Sequence, residues 1–93
     1  MSTITLPPSV TIQSVGVDHK AFVEQLSAIE GPVKIDGATV EEIDTAGLQL
    51  LLAMINELTS RSIETQWHSP SQVLLQTAAI LGMSTALALP NAA

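Results

Sequence analysis

In Ile43-Asp44-Thr45-Ala46-Gly47-Leu48, a carboxylate, a hydroxyl and a glycine stand together where a loop gives way to a Leu-rich amphipathic segment. The first turn of a helix carries N–H groups without intrahelical partners, and an Asp at the N-cap accepts from them. Asp44 in that role puts Thr45 at the first helical position with its hydroxyl outward. Gly47 falls in the same turn, where Gly costs about 1 kcal/mol relative to Ala. Such a cost suggests that something approaches the helix closely at Gly47. The chemistry on offer is hydrogen bonding and contact at a helix start. The plain alternative is that Asp44 and Thr45 do no more than cap, since Ser, Thr and Asp are ordinary helix starters.

Other constellations carry less. His19 and His68 are the only imidazoles, and neither belongs to a two-His helical motif such as H-E-x-x-H, so no metal site is expected. His19 falls in an apolar stripe and reads as a partly buried residue; His68 reads as exposed. Glu41 and Glu42 adjoin one another without a candidate nucleophile or basic clamp, which makes them a solvated acidic loop. No G-x-x-x-x-G-K-[ST] and no G-x-G-x-x-G occurs, so phosphate-cradling loops of the familiar kinds are unsupported and no cofactor is expected. With no nucleophile–base pair, metal set or phosphate loop to assemble, the chain reads as a non-enzymatic protein.

Composition narrows the partners. Nine acidic against three basic residues give a net charge of −6, which disfavours nucleic-acid backbones and anionic membrane surfaces. The absence of Cys removes disulfides, thiolates and Cys-based zinc sites. The N-terminus lacks the basic-then-apolar order of a secretory signal, and no stretch approaches the ~20 apolar residues of a membrane span, so a cytoplasmic location is expected. Ninety-three residues suit one domain, 1–93, with a single two-layer core. That core must be aliphatic, because Phe22 and Trp67 are the only aromatics in a chain that is 46% hydrophobic.

The elements that position Asp44 and Thr45 follow from periodicity. Thr3–Leu6 is a β-type run stopped by Pro7-Pro8. Ile12, Val15, His19, Phe22, Leu26 and Ile29 recur at steps of three and four, which predicts a helix capped at Thr11, with Gly16 as the weak point and Asp18 as an alternative start. Gly31-Pro32 ends it, and Val33–Ile35 begins a buried strand. The central helix is expected from Ala46 to about Ser60, with Leu48, Leu51, Leu52, Ile55 and Leu58 inward. Leu50 and Met54 fall off that stripe, either widening it or forming an exposed apolar edge. Ile63, Thr65 and Trp67 alternate with Glu64, Gln66 and His68 as a strand covered on one face. Ser69-Pro70-Ser71-Gln72 reads as a capping box with Ser69 at the N-cap, opening a third helix with Leu74, Ala78 and Leu81 inward and Gly82 as its stop. Met83–Leu89 is one more helical turn or a short edge strand, and Asn91-Ala92-Ala93 is expected to fray. The order strand, helix, strand, helix, strand, helix implies an α/β fold with a mainly parallel or mixed sheet and right-handed crossovers, covered fully on one face only.

The strand Val33-Lys34-Ile35-Asp36, the loop to Ile43, the Asp44-Thr45-Ala46-Gly47-Leu48 helix start, the Leu-rich helix, the strand ending in Trp67-His68 and the following Ser69-Pro70-Ser71 closely resemble the STAS family of sulphate transporters and anti-sigma factor antagonists, over about Leu6 to Pro90. The resemblance implies a small sheet of three to four strands covered on one face by three helices. Two strands usually precede the first helix in that family; only Thr3–Leu6 does so clearly here, which implies a shortened N-terminus.

In the antagonists of anti-sigma factors, a bacterial signal-transduction class, the hydroxyl residue after the Asp is phosphorylated by the partner kinase. The resemblance places that phosphoacceptor at Thr45 and implies a protein-docking surface over Asp44, Thr45, Ala46, Gly47 and Leu48. Two departures weigh against direct transfer: Thr45 stands where Ser is commonest, and Ala46-Gly47-Leu48-Gln49 replaces a hydroxyl-Gly-Leu-Gly pattern. The form present here looks more like small STAS adaptors of chemotaxis or signalling kinases, and like the STAS subunit of a phospholipid-transport ABC complex, where this helix start grips the ATPase. Partner candidates are therefore an anti-sigma or other signalling kinase or an ABC ATPase, with no nucleic acid and no membrane insertion. A missing strand together with an exposed Leu50–Met54 edge would leave a monomer that dimerises weakly as salt screens its charge.

Overall fold

Alternating side chains set the central sheet. The computed structural model describes residues 2–90, in the order β1 (Ser2–Thr5), β2 (Ser9–Val10), α1 (Val15–Ser27), β3 (Val33–Asp36), β4 (Glu42–Ile43), α2 (Thr45–Ser60), β5 (Thr65–His68) and α3 (Gln72–Ile80). The three longer strands pair in parallel in the order β1-β3-β5, with Ile4, Ile35 and Trp67 in register across them. Register partners project to the same side, so Ile4, Val33, Ile35 and Trp67 share the covered face with Ser2 and Thr65. Thr3, Lys34 and Gln66, and beyond them Thr5, Asp36 and His68, form the other face, where the residues of the two outer strands are exposed and the central pair is half-buried. This is the α/β architecture of parallel strands and three helices that the spacing predicts.

The shortened N-terminus is corrected by the structure. A second strand does precede α1: Ser9–Val10 pairs in parallel with Glu42–Ile43 to form a separate two-stranded ladder. Both strands are two residues long, too short to show a period of two, and one follows directly on Pro7-Pro8. The ladder is reinforced by the Pro8 carbonyl, which accepts from the N–H groups of Glu41 and Glu42. Glu42 is therefore in a strand and not in a loop, although both Glu41 and Glu42 are exposed as expected.

The first helix begins three residues later than the stripe predicts, with its cap at Ser14. Thr11–Ser14 form a turn in which the Thr11 carbonyl accepts from Ser14 and Val15, and Ser14 occupies the N-cap. Thr11 is thus not the cap. Ile12 lies outside the helix and is 67% exposed, and His19 is exposed, so neither belongs to the core face. Phe22 and Leu26 are the buried residues of α1.

In α2, Asp44 is the N-cap and the helix ends at Ser60, as predicted within one residue. Leu50 and Met54 are buried at 7% and 3% exposure, so they widen the core stripe and form no exposed edge. They meet α1, lining with Phe22 and Leu26 a groove of about 340 Å³ between the two helices. With β2 present and Leu50 and Met54 covered, neither a missing strand nor a Leu50–Met54 edge offers a surface for self-association.

The capping of α3 also shifts. Ser71, not Ser69, is the N-cap: its Oγ accepts from the N–H of Leu74, and its own N–H is bound by the Gly37 carbonyl. Ser69 instead takes a positive φ of 49°, turning the chain out of β5, which leaves Pro70 before the cap and Gln72 as the first helical residue. Leu74 and Ala78 are buried, whereas Leu81 caps the C-terminus and is exposed.

Gly82 does stop the helix, with φ at +68° and its N–H on the Ala79 carbonyl, while Met83 N–H reaches back to Ala78. That pair of bonds is a Schellman motif, and it needs a left-handed residue at Gly82. Met83–Leu89 then winds as consecutive hydrogen-bonded turns that carry Leu87 and Leu89 into the core, neither a regular helix nor a strand. The fraying expected of Asn91–Ala93 concerns residues outside those described.

Candidate functional site

The helix start is built around the two oxygens of one carboxylate. Asp44 leaves β4 in an extended conformation, φ −125° and ψ −174°, which aims its side chain back over the first turn of α2. Oδ1 accepts from the N–H of Gly47 at 2.9 Å, the expected cap. Oδ2 accepts from the N–H of Ile12 at 2.9 Å, tying the turn after β2 to the start of α2 across 32 residues of sequence. The Ile12 N–H is the largest influence holding the Asp44 carboxyl below its ordinary value of 3.8, followed by that of Gly47, while partial desolvation opposes them. A carboxylate suits this position because both of its oxygens are acceptors.

Thr45 is the first residue of α2 and is exposed, as the sequence requires of an accessible hydroxyl. Ala46 and Asp44 are half-buried, and Gln49, one turn on from Thr45, is exposed. Gly47 and Leu48 are different. Leu48 is wholly buried, and Gly47 is buried beneath β2, where a Cβ would collide with the Val10 carbonyl and stand 3.0 Å from Cγ1 of Ile43. The close approach that Gly47 permits is therefore made by this chain's own backbone. Neither residue offers surface to a partner, which corrects their expected place among the contact residues; they seat the helix start on the two-stranded ladder.

The structure adds a residue that periodicity assigned elsewhere. Ile12 stands beside the Asp44 carboxylate, exposed, on a turn whose backbone is fully tied: Thr11 N–H to Ser14 Oγ, Ile12 N–H to Asp44, Gln13 N–H to Thr11 Oγ1, and Ser14 N–H to the Thr11 carbonyl. Its step of three to Val15 placed it on a helical stripe. The sequence signal against that was Ser14, whose hydroxyl accepts from Thr11 and donates to Asp18 as a local turn would have it.

The remaining candidates stay apart. Among the described residues no group of three or more His, Asp or Glu side chains is arranged to hold a metal ion. His68 is exposed at the end of β5, and His19 borders the groove between α1 and α2, whose lining includes none of Asp44, Thr45 or Ala46. Among the described residues no helix is long and apolar enough to cross a membrane.

No curated protein and no solved structure matches the chain significantly. A protein-family model does: the family described as Mlab, STAS domain, matches residues 2–90. Parallel strands, three helices and an Asp-capped central helix agree with that match over nearly the whole length, and the chain belongs to the STAS family.

Proposed function

We propose that the chain is a non-enzymatic protein-interaction module of the anti-sigma factor antagonist type, which docks a signalling kinase through the helix start at Asp44 and Thr45. The observation that carries this reading is the exposure of Thr45 at the first position of α2, on a turn that Asp44 holds in place from below. A phosphate on Thr45 brings about −1.5 to −2 charges, which the helix N-terminus tolerates and an apolar or acidic partner surface does not. Phosphorylation of Thr45 would then release the partner.

A second reading is favoured by the description of the matching family, Mlab, and by the Asp-Thr-Ala-Gly-Leu form of the helix start. In it, the chain is the STAS subunit on the ATPase of a phospholipid-transport ABC complex, and Thr45 is a constant contact. An adaptor role in chemotaxis would use the same surface.

Thr45→Ala and Thr45→Glu separate these. Glu is expected to weaken binding to the native partner more than Ala in pull-down affinities; equal affinities argue against a charge-sensitive interface. Phospho-Thr45 detected by mass spectrometry from the source cell supports the switch, and its absence under several growth conditions supports the constitutive subunit.

A further inference from the structure

We infer that Ile12 is the apolar anchor of the docking surface, and that it fits a protein partner presenting an apolar socket rimmed by Lys and Arg side chains. The inference rests on the docking reading above and adds the residue and the chemistry of the partner. Three observations carry it.

The first is that Ile12 is exposed without being loose. A β-branched side chain 67% open to water has no packing reason to be apolar, yet every backbone N–H from Thr11 to Val15 is hydrogen-bonded. A side chain held in one place before binding loses little further freedom on binding, which is what distinguishes an anchor from a frayed hydrophobe. Ile80 is more exposed still, at 84%, but it is the last residue of α3, on a different element from the Asp44–Thr45 helix start, and serves as the control.

The second is position. The bond from Ile12 N–H to Asp44 Oδ2 brings the Ile12 backbone beside the residue that precedes Thr45, and both Ile12 and Thr45 are exposed, so one partner can cover both. Asp44 is then a positioning residue for Ile12 as well as a cap.

The third is charge. Pairing of Ser9 with Glu42, and of the Pro8 carbonyl with the N–H groups of Glu41 and Glu42, brings two exposed carboxylates to the strand that leads into the Ile12 turn. No Lys or Arg occurs before Lys20; Lys34 lies on the open face of the sheet and Arg61 at the opposite end of α2 from Thr45. Glu41 and Glu42, on the stretch beside the strand that leads into the Ile12 turn, give this part of the surface exposed negative charge, which Lys and Arg on a partner complement; such pairing accelerates encounter and makes affinity fall with salt.

The test uses the full chain with a photo-crosslinking amino acid at position 12 or, separately, at position 80 in the source cell, followed by purification of the protein captured from position 12. Its affinity is then measured for the wild type and for Ile12→Ala, Ile80→Ala, Thr45→Glu and the double variant Glu41→Lys/Glu42→Lys. The inference expects capture from position 12, at least a tenfold loss of affinity for Ile12→Ala, no change for Ile80→Ala, at least a tenfold loss for the double variant at low salt, and weaker wild-type binding as salt rises. No capture from position 12, an unchanged affinity for Ile12→Ala, or binding that strengthens with salt overturns it. If Thr45→Glu weakens binding while Ile12→Ala does not, the docking reading stands and the anchor fails. If neither changes it, both fail. Circular dichroism of each variant confirms that the fold is intact, as expected for exposed positions.

Discussion

The carbonyl of Val10 occupies the space that a side chain at Gly47 would fill. The start of α2 is therefore seated directly on β2, with Ile43 closing the other side. Gly47→Ala should destabilise the protein, since overpacking against a backbone carbonyl costs about 1–3 kcal/mol beyond the ~1 kcal/mol that Ala gains in a helix. Gly16 is the contrast: it lies in the first turn of α1, and a Cβ added there would have nothing within 4 Å. Gly16→Ala should stabilise by about 0.4–1 kcal/mol. Urea melts of both variants check the pair; a midpoint for Gly47→Ala at or above the wild type would show that β2 does not press on α2.

Asp44 predicts a pH dependence with a definite sign. Its folded value is lowered from 3.8, so its contribution to stability is complete above that value and is lost as pH falls through the folded value. Asp44→Asn has one acceptor where the carboxylate has two, so it cannot serve both Gly47 and Ile12. The variant should be less stable than the wild type at neutral pH and should lose less further stability on acidification. Urea midpoints between about pH 5 and pH 2 test this; parallel curves for the two proteins would mean that the Asp44 charge does not contribute.

Thr45 should tolerate charge where Gly47 does not tolerate a methyl group. At the first position of a helix a negative charge interacts favourably with the free N–H groups, by about 0.3–1 kcal/mol, and Thr45 is exposed. Thr45→Glu is expected to unfold within about 1 kcal/mol of the wild type. A larger loss in the urea melt would show that Thr45 has a structural part, and its effects on binding would then need that correction.

How legible these features were depended on how many residues each involves. The sixteen-residue α2 shows its period and its cap plainly, so Asp44, Thr45 and the end at Ser60 were readable. The ladder of Ser9–Val10 with Glu42–Ile43 was not, because two residues carry no period and the pairing joins segments more than thirty apart. Gly47 illustrates the consequence: its type announced a close approach, but only the ladder shows that β2 makes it. Ile12 fits a helical spacing by coincidence with the α1 residues Phe22 and Leu26, and local bonding at Ser14 overrode that spacing; His19 lies within α1 but on its exposed side. At Ser69–Ser71 two hydroxyls compete for one cap, and the Gly37 carbonyl, remote in sequence, decides for Ser71.

The segment after α3 makes the last prediction, since its irregular turns look dispensable. Leu87 is wholly buried, and its carbonyl accepts from Nε1 of Trp67 at 2.9 Å, so the turns are held to the core by packing and to the β5 side chain Trp67 by a hydrogen bond. Leu87→Ala should cost about 2–5 kcal/mol, the range for removing a buried Leu from a closed core. Trp67 is the chain's single Trp, so its fluorescence reports this contact without labelling. In Leu87→Ala the native emission should shift to longer wavelength as water reaches the indole, and the urea midpoint should fall. An unchanged midpoint with unchanged emission would mean that residues 83–89 do not form part of the cooperative core.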